Sequence, residues 1–433
     1  MNEEKARTPR QRDVMSTIPT EDNSEAMDFF VARQPILDRR QKLTAYELLF
    51  RRASTGSADV TNDIVATATV IAHASKLGLV NVIGSLPGFI NVDAAVLMSD
   101  FIQFLPYDKV FLEILETVRV TRELIDRIVQ LKSQGYRFVL DDVIEDTEAL
   151  RRLLPFVDII KIDIVALDRQ QLVSLFHVLK THNKKMLIEK VETLEDFAFC
   201  HDLGFDLFQG YFFSKPKVLA GKKLHTTQLH VVNILNMLIA EADIDEIETA
   251  IKKDAGLALN LIRLVNTAAF MTKQRIATIR QAINVLGRRQ LQRWLQILMY
   301  AGADHSDMLM SPLLSLATTR GRLMELMAQK ILSHDQLASE TAFTVGIMSL
   351  INVLFDTPMV QLLAQISVSD DIKKALISRT GVYGDMLQLV IDLECMTGAD
   401  AMPLAGIQNL ELQTEDLRSM QLQAFEFSNS LVS

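Results

Sequence analysis

The sequence predicts an α/β barrel followed by an all-α domain, and three observations carry that prediction. Its 433 residues exceed the usual size of one domain, so two folded units are the first expectation. Between Phe29 and Pro216, short apolar runs alternate with longer helical patterns, and each run stops at a polar residue. After Gly221 that rhythm gives way to apolar residues at helical spacing alone.

Residues 1–27 mix charges with Thr, Ser and Pro without periodicity and read as a disordered leader. The barrel is expected over 28–216. Its runs Phe89-Ile90, Val110-Phe111-Leu112, Phe138-Val139-Leu140, Ile159-Ile160 and Met186-Leu187-Ile188 stop at Asn91, Glu113, Asp141, Lys161 and Glu189. From Glu113 onward the intervals are 28, 20 and 28 residues, and a further 20 reach Gln209, each the length of one strand, one helix and their loops. Repeated βα units with buried strands imply a parallel sheet, and six or more of them in about 190 residues imply closure into a barrel. Barrel active sites gather at the C-terminal strand ends, where these polar residues fall.

The connector is expected at 217–223, within the Lys-rich stretch Ser214 to Lys223. Beyond it, Leu257, Leu261, Leu264, Val265 and Ala268, then Ile279, Ile283 and Leu286, recur at helical spacing, so 224–415 is read as all-helical and 416–433 as a polar tail. Hydrophobic content of 49% and charged content of 23% fit a globular chain, and no uninterrupted apolar run approaches a membrane span. The expected location is cytoplasmic, without membrane insertion. Cys200 and Cys395 are too few for a disulfide framework or a thiolate cluster and read as buried thiols. A net charge of −9, with no aromatic and basic recognition motif, argues against nucleic acid as a partner.

Glu47, Glu113, Asp141, Asp142 and Glu189, with the amide of Asn91, form an oxygen-rich set suited to a hard divalent cation such as Mg²⁺. Two such ions hold a phosphodiester and activate water, which points to a hydrolase. Lys161 would stabilise the attacking hydroxide or the phosphoryl charge, Glu189 would bind metal or take a proton, and Arg51 would contact phosphate. A single carboxylate after a strand is more simply a solvated loop residue or helix cap. Independent capping would not, however, choose oxygen donors at so many successive strand ends.

Those residues reach a family. Gln34-Pro35-Ile36 followed by Tyr46-Glu47-Leu48-Leu49-Phe50-Arg51 resembles the QPI and YEALLR signature of EAL domains. Asn91 matches the family's asparagine, Leu112-Glu113-Ile114-Leu115-Glu116 its LEITE segment, and Asp141-Asp142 its DDFG pair. Lys161-Ile162-Asp163 matches KID, Glu189-Lys190-Val191-Glu192 matches EGVE, and Gln209-Gly210-Tyr211 with Ser214 and Pro216 matches QGYxxSRP. The resemblance implies an EAL-type barrel that hydrolyses cyclic di-GMP to linear pGpG with Mg²⁺ or Mn²⁺. It makes Glu189 and Lys161 catalytic and Glu47, Asn91, Glu113, Asp141 and Asp142 metal ligands. Gln34, Arg51 and Gln209 would contact the nucleotide, Glu116 would anchor the loop after the paired aspartates, and a homodimer would be the assembly. The departures lie in that loop, where Val143-Ile144-Glu145-Asp146 replaces Phe-Gly-Thr-Gly, and in Leu115, Asp93 and Lys190, which stand for a threonine, a serine and a glycine.

In the second half, Lys253 to Phe270 and Ile279 to Gly287 resemble the DPxLxxxLLxLVNSAxF and SIxQAIxxLG segments of HDOD domains. The His-Asp pair of the related HD hydrolases is replaced by Ile347-Met348-Ser349-Leu350, so this domain is expected to regulate or to bind an unidentified signalling protein. His201-Asp202 and His334-Asp335 are incidental pairs, and Trp294 reads as core or interface. Two functions follow: a metal-dependent phosphodiesterase under HDOD control, or a weak or inactive barrel serving as a cyclic di-GMP receptor or protein-interaction module.

Overall fold

The computed structural model describes residues 29–52, 79–214, 226–267, 276–300, 311–332, 335–394 and 403–431; the expected leader at 1–27 and linker at 217–223 lie outside them. Eight strands, β1 (Phe29–Asp38), β2 (Leu43–Arg52), β3 (Gly88–Val92), β4 (Val110–Ile114), β5 (Arg137–Leu140), β6 (Ile159–Asp163), β7 (Lys185–Glu189) and β8 (Leu207–Gln209), close a barrel in sequence order. The expected parallel arrangement holds from β2 to β8 but not at β1, which runs antiparallel to both neighbours. The cause is local. Asp38 Oδ1 accepts the Arg40 and Lys42 amides at 2.8 and 2.9 Å, and Gln41 adopts φ 60°, so the chain reverses in a tight hairpin.

Side chains alternate across a strand, and that alternation builds the site. Ile36, Ala45, Phe89, Val139, Ile159 and Leu187, with Phe111 and Leu207 against them, form one apolar layer inside the barrel, a residue from each strand. Two positions further toward the C-terminal end of each parallel strand, and two back along the reversed β1, stand Gln34, Glu47, Asn91, Glu113, Asp141, Lys161, Glu189 and Gln209. The apolar layer is thus a floor and the polar residues are the layer above it. The outer helices are fixed by ordinary signals. Thr121 caps Arg122–Ser133 through the Leu124 amide, and Leu124, Ile128 and Leu131 bury one face of that helix against the barrel.

From Thr226 onward the described residues are helical. Helices Pro312–Ile331 and Gln336–Met348 cross where Gly321 meets Gly346; a Cβ on Gly346 would sit 2.6 Å from the Gly321 Cα, so neither position tolerates a side chain. Gln336–Leu354 is apolar enough by composition to cross a membrane, but 61% of it is buried within this domain. Trp294 packs on the same core, Cys200 is buried, and Cys395 and His334 lie outside the described residues. Asp335 is a helix cap, accepting the Leu337 amide at 2.9 Å.

The expected polar tail at 416–433 differs most from its reading. Thr414–Ser430 is a helix that buries Leu417, Met420, Ala424 and Phe425, an apolar stripe at helical spacing hidden among polar residues. It crosses to the barrel, where Asn429 donates to the Asn81 carbonyl at 2.8 Å. Beside it, the Arg33 guanidinium of β1 stacks between Tyr46 and Phe425, 4.5 and 4.2 Å from the ring centres. Arg33 also donates to the Val82 carbonyl, Asn429 Oδ1 and Thr319 Oγ1 at 2.6, 3.0 and 3.1 Å. This contact joins the two domains.

Candidate active site

The polar layer converges on one ammonium. Lys161, 1% exposed, places Nζ 2.7 Å from Asp141 Oδ1, 2.9 Å from Glu189 Oε2, 3.0 Å from Glu113 Oε1 and 3.5 Å from Glu47 Oε2. Asn91 Nδ2 donates to Glu47 Oε1 at 3.2 Å, and Gln209 Nε2 donates to Glu47 Oε2 and Gln34 Oε1 at 2.5 and 2.7 Å. The amides of Asn91 and Gln209 therefore orient Glu47 from β3 and β8, and Gln34 on the reversed β1 orients Gln209. Arg51 lies at the end of β2, and its side chain is outside the described residues.

One positive charge among four carboxylates leaves a buried excess of negative charge. Burial, reinforced by Glu47, holds the Glu113 carboxyl well above the ordinary carboxylate range despite Lys161. Asp141 is raised by burial as well, and Glu189 is pushed up to about 7 by burial, against Lys161 and with a hydrogen bond to Asp142 adding to the rise. Glu47 goes the other way: burial raises it, but Lys161 and the hydrogen bonds from Gln209 and Asn91 prevail. The ammonium is held charged by its four partners against its own burial. Asn91 Oδ1, Glu113 Oε2 and Asp142 Oδ1 are buried and accept no hydrogen bond. Orphaned oxygens within an anionic cluster fit a hard divalent cation, which supplies the missing charge and uses those lone pairs.

The carboxylates of Asp142, Asp163 and Glu189 approach within 4.8 Å of one another, as do those of Glu116, Asp141 and Asp142. Asp163 was not among the sequence-derived ligands. It stands two residues after Lys161 on the same strand, so the alternation that places Lys161 inward also places Asp163 inward. Asp93, by contrast, has a local role, capping Ala94–Met98 through the Val96 amide.

Residues 85–216 match the EAL domain family and residues 225–367 the HDOD domain family. Cyclic di-GMP phosphodiesterase CdgJ of Vibrio cholerae is 31% identical over 414 residues, 93% of this chain and 93% of its own. The chain belongs to the EAL–HDOD family. YuxH of Bacillus subtilis is 29% identical over 415 residues, 94% of this chain and 99% of its own. Among solved structures, EAL enzyme Bd1971 in its cAMP and cyclic-di-GMP bound form aligns at TM-score 0.38 and 23% identity, over 44% of this chain and 62% of that one.

Two departures from the EAL motifs take physical form here. In the loop after Asp142, Val143 is buried and donates its amide to the Lys161 carbonyl at 3.0 Å, while Asp146 takes a bidentate pair from Arg151 at 2.9 and 2.7 Å. The segment is pinned at both ends without glycine, and Val143, Ile144 and Glu145 line a cavity of about 310 Å³ together with Glu116. Lys190, at the glycine of the EAL motif, adopts φ 57°, the left-handed conformation that favours glycine. Its ammonium lies 2.6 Å from Asp163 Oδ2.

Proposed function

We propose that the EAL barrel hydrolyses cyclic di-GMP to linear pGpG with Mg²⁺ or Mn²⁺, under control of a non-catalytic HDOD domain, in the cytoplasm. The observation that carries this reading is the excess of buried carboxylate around Lys161, together with the orphaned oxygens of Asn91, Glu113 and Asp142. Glu47, Asn91, Glu113 and Asp141 would hold one cation, and Asp142, Asp163 and Glu189 a second. When bound, divalent cations neutralise phosphodiester charge and make water acidic enough to attack at neutral pH.

The chain's own residues supply the rest. Glu189, poised near neutrality, takes the proton of the attacking water. Lys161, fixed by four ion pairs, offers permanent positive charge to the phosphoryl group as its negative charge grows. Gln209 holds Glu47 in place, with Gln34 accepting from Gln209, and both stand in the layer from which the nucleotide would be met. Glu47→Ala and Glu189→Gln should each lower turnover at least about 10²-fold while leaving the circular dichroism spectrum unchanged, because both groups stand on the polar layer rather than the apolar floor. Wild-type turnover in either variant removes that residue from the mechanism.

The glycine-free loop favours a second reading. A barrel that binds the nucleotide without cleaving it would relay occupancy to the HDOD domain through Arg33 and Tyr46, the chain neighbours of Gln34 and Glu47. Cyclic di-GMP binding with no pGpG formed would establish it.

A further inference from the structure

We infer that Lys190 is a tethered cation that competes with a divalent ion for the Asp142, Asp163 and Glu189 carboxylates, so that this chain binds one metal tightly and a second weakly. The inference rests on the functional reading above and concerns only its second metal position.

Both oxygens of Asp163 are already committed. Oδ1 accepts the Val165 amide at 2.7 Å, and Oδ2 takes the Lys190 ammonium at 2.6 Å. A metal at Asp163 must therefore share Oδ2 with the Lys190 ammonium, against its repulsion, or displace it. The ammonium also acts electrostatically on Asp142 and Glu189, which complete the trio. Its reach depends on the backbone: Lys190 directly follows β7 with φ 57°, and from there its ammonium meets Asp163 at the end of β6. A glycine in place of Lys190 would adopt the same backbone freely and leave Asp163 open. Lys161 is distinct, since it is buried among four carboxylates, whereas the Lys190 side chain is half-exposed and pairs, among the described residues, with Asp163 alone. Displacing one adjacent unit charge weakens a divalent ion's binding by roughly tenfold or more even with partial screening.

The test is Mn²⁺ binding to the full chain without nucleotide, followed by calorimetry and by the loss of the free-ion paramagnetic resonance signal. Wild type should show one strong site and a second at least about tenfold weaker. Lys190→Gly and Lys190→Gln should each strengthen the second site at least about tenfold and leave the first unchanged, while Lys190→Arg should behave as wild type. Gln removes the charge while keeping a long polar side chain and the backbone strain, so gain in both Gly and Gln isolates the charge. A second site unaltered in Gly and Gln, or strengthened in Gly alone, overturns the inference while the strong first site leaves the functional reading standing. Absence of any Mn²⁺ binding in all four proteins overturns both.

Discussion

Glu113→Gln should make the metal-free protein more stable and remove its response to metal. Glu113 is fully buried, 3.0 Å from Lys161, and burial together with Glu47 raises its carboxyl well above the usual range. At an effective dielectric near 20, that ion pair contributes about 5 kcal/mol. Glu47 and Asp141, with Glu189 about half ionised at pH 7, share the same ammonium and so lie within about 6 Å of Glu113, repelling it by about 7 kcal/mol in sum. With burial added, the balance disfavours the ionised side chain by about 2–3 kcal/mol. Protonation caps the penalty at about 1.4 kcal/mol per pH unit above an unfolded pKa near 4.3, or about 3.7 kcal/mol at pH 7. The sign follows from linkage. A carboxyl whose folded pKa is raised costs nothing below its unfolded pKa, and its cost grows as pH climbs toward the folded value. In EDTA, urea unfolding followed by far-UV circular dichroism should therefore show the variant ahead by about 1 kcal/mol at pH 5 and about 2–3 kcal/mol at pH 7. Trp294 fluorescence reports the HDOD domain separately. Mn²⁺ at a hundredfold excess over its dissociation constant should stabilise wild type by about 2.7 kcal/mol and the variant far less. A variant less stable than wild type in EDTA at pH 7, or equal stabilisation of both by Mn²⁺, would refute the reasoning.

Gly210→Ala should cost at least about 2 kcal/mol and reduce turnover through Gln209, because a Cβ there would meet the Val191 carbonyl oxygen at 2.1 Å with φ at 142°; an unchanged melting temperature contradicts this. Arg33→Met should remove the guanidinium's contacts to both domains, lower stability by about 1–3 kcal/mol and change kcat or KM for cyclic di-GMP while Mn²⁺ stoichiometry holds; unaltered kinetics would show that this contact does not couple the domains. The full-length Glu113→Gln/Glu189→Gln chain should show no Mn²⁺-dependent cleavage of bis-p-nitrophenyl phosphate, since the HDOD half has Ile347 and Met348 where a metal-binding pair would stand; residual cleavage would place chemistry in the helical domain.

The barrel and its polar layer were legible because strand ends carry their chemistry at fixed intervals: the 28- and 20-residue spacing places Glu113, Asp141, Lys161, Glu189 and Gln209 at the ends of five consecutive strands. What spacing does not contain is depth. That Lys161 would sit among four carboxylates, rather than beside a phosphate, depends on how far a lysine reaches across a closed barrel. Asp163 was within reach of the same alternation, since it shares the inward face of β6. The reversed β1 was less accessible, because its hairpin turn, Arg39-Arg40-Gln41-Lys42, contains no glycine, proline or asparagine. The terminal helix was missed because its apolar stripe spans only Leu417, Met420, Ala424 and Phe425 within a polar stretch; burial against another domain, not local propensity, gives it a reason to fold.

The most direct measurement is the incubation of the purified full-length chain with cyclic di-GMP in Mn²⁺ and, in parallel, in EDTA, with the nucleotides separated by chromatography. Catalytic turnover to linear pGpG in Mn²⁺, absent in EDTA, is the predicted result. Cyclic di-GMP bound by the protein yet recovered intact in Mn²⁺ would contradict it.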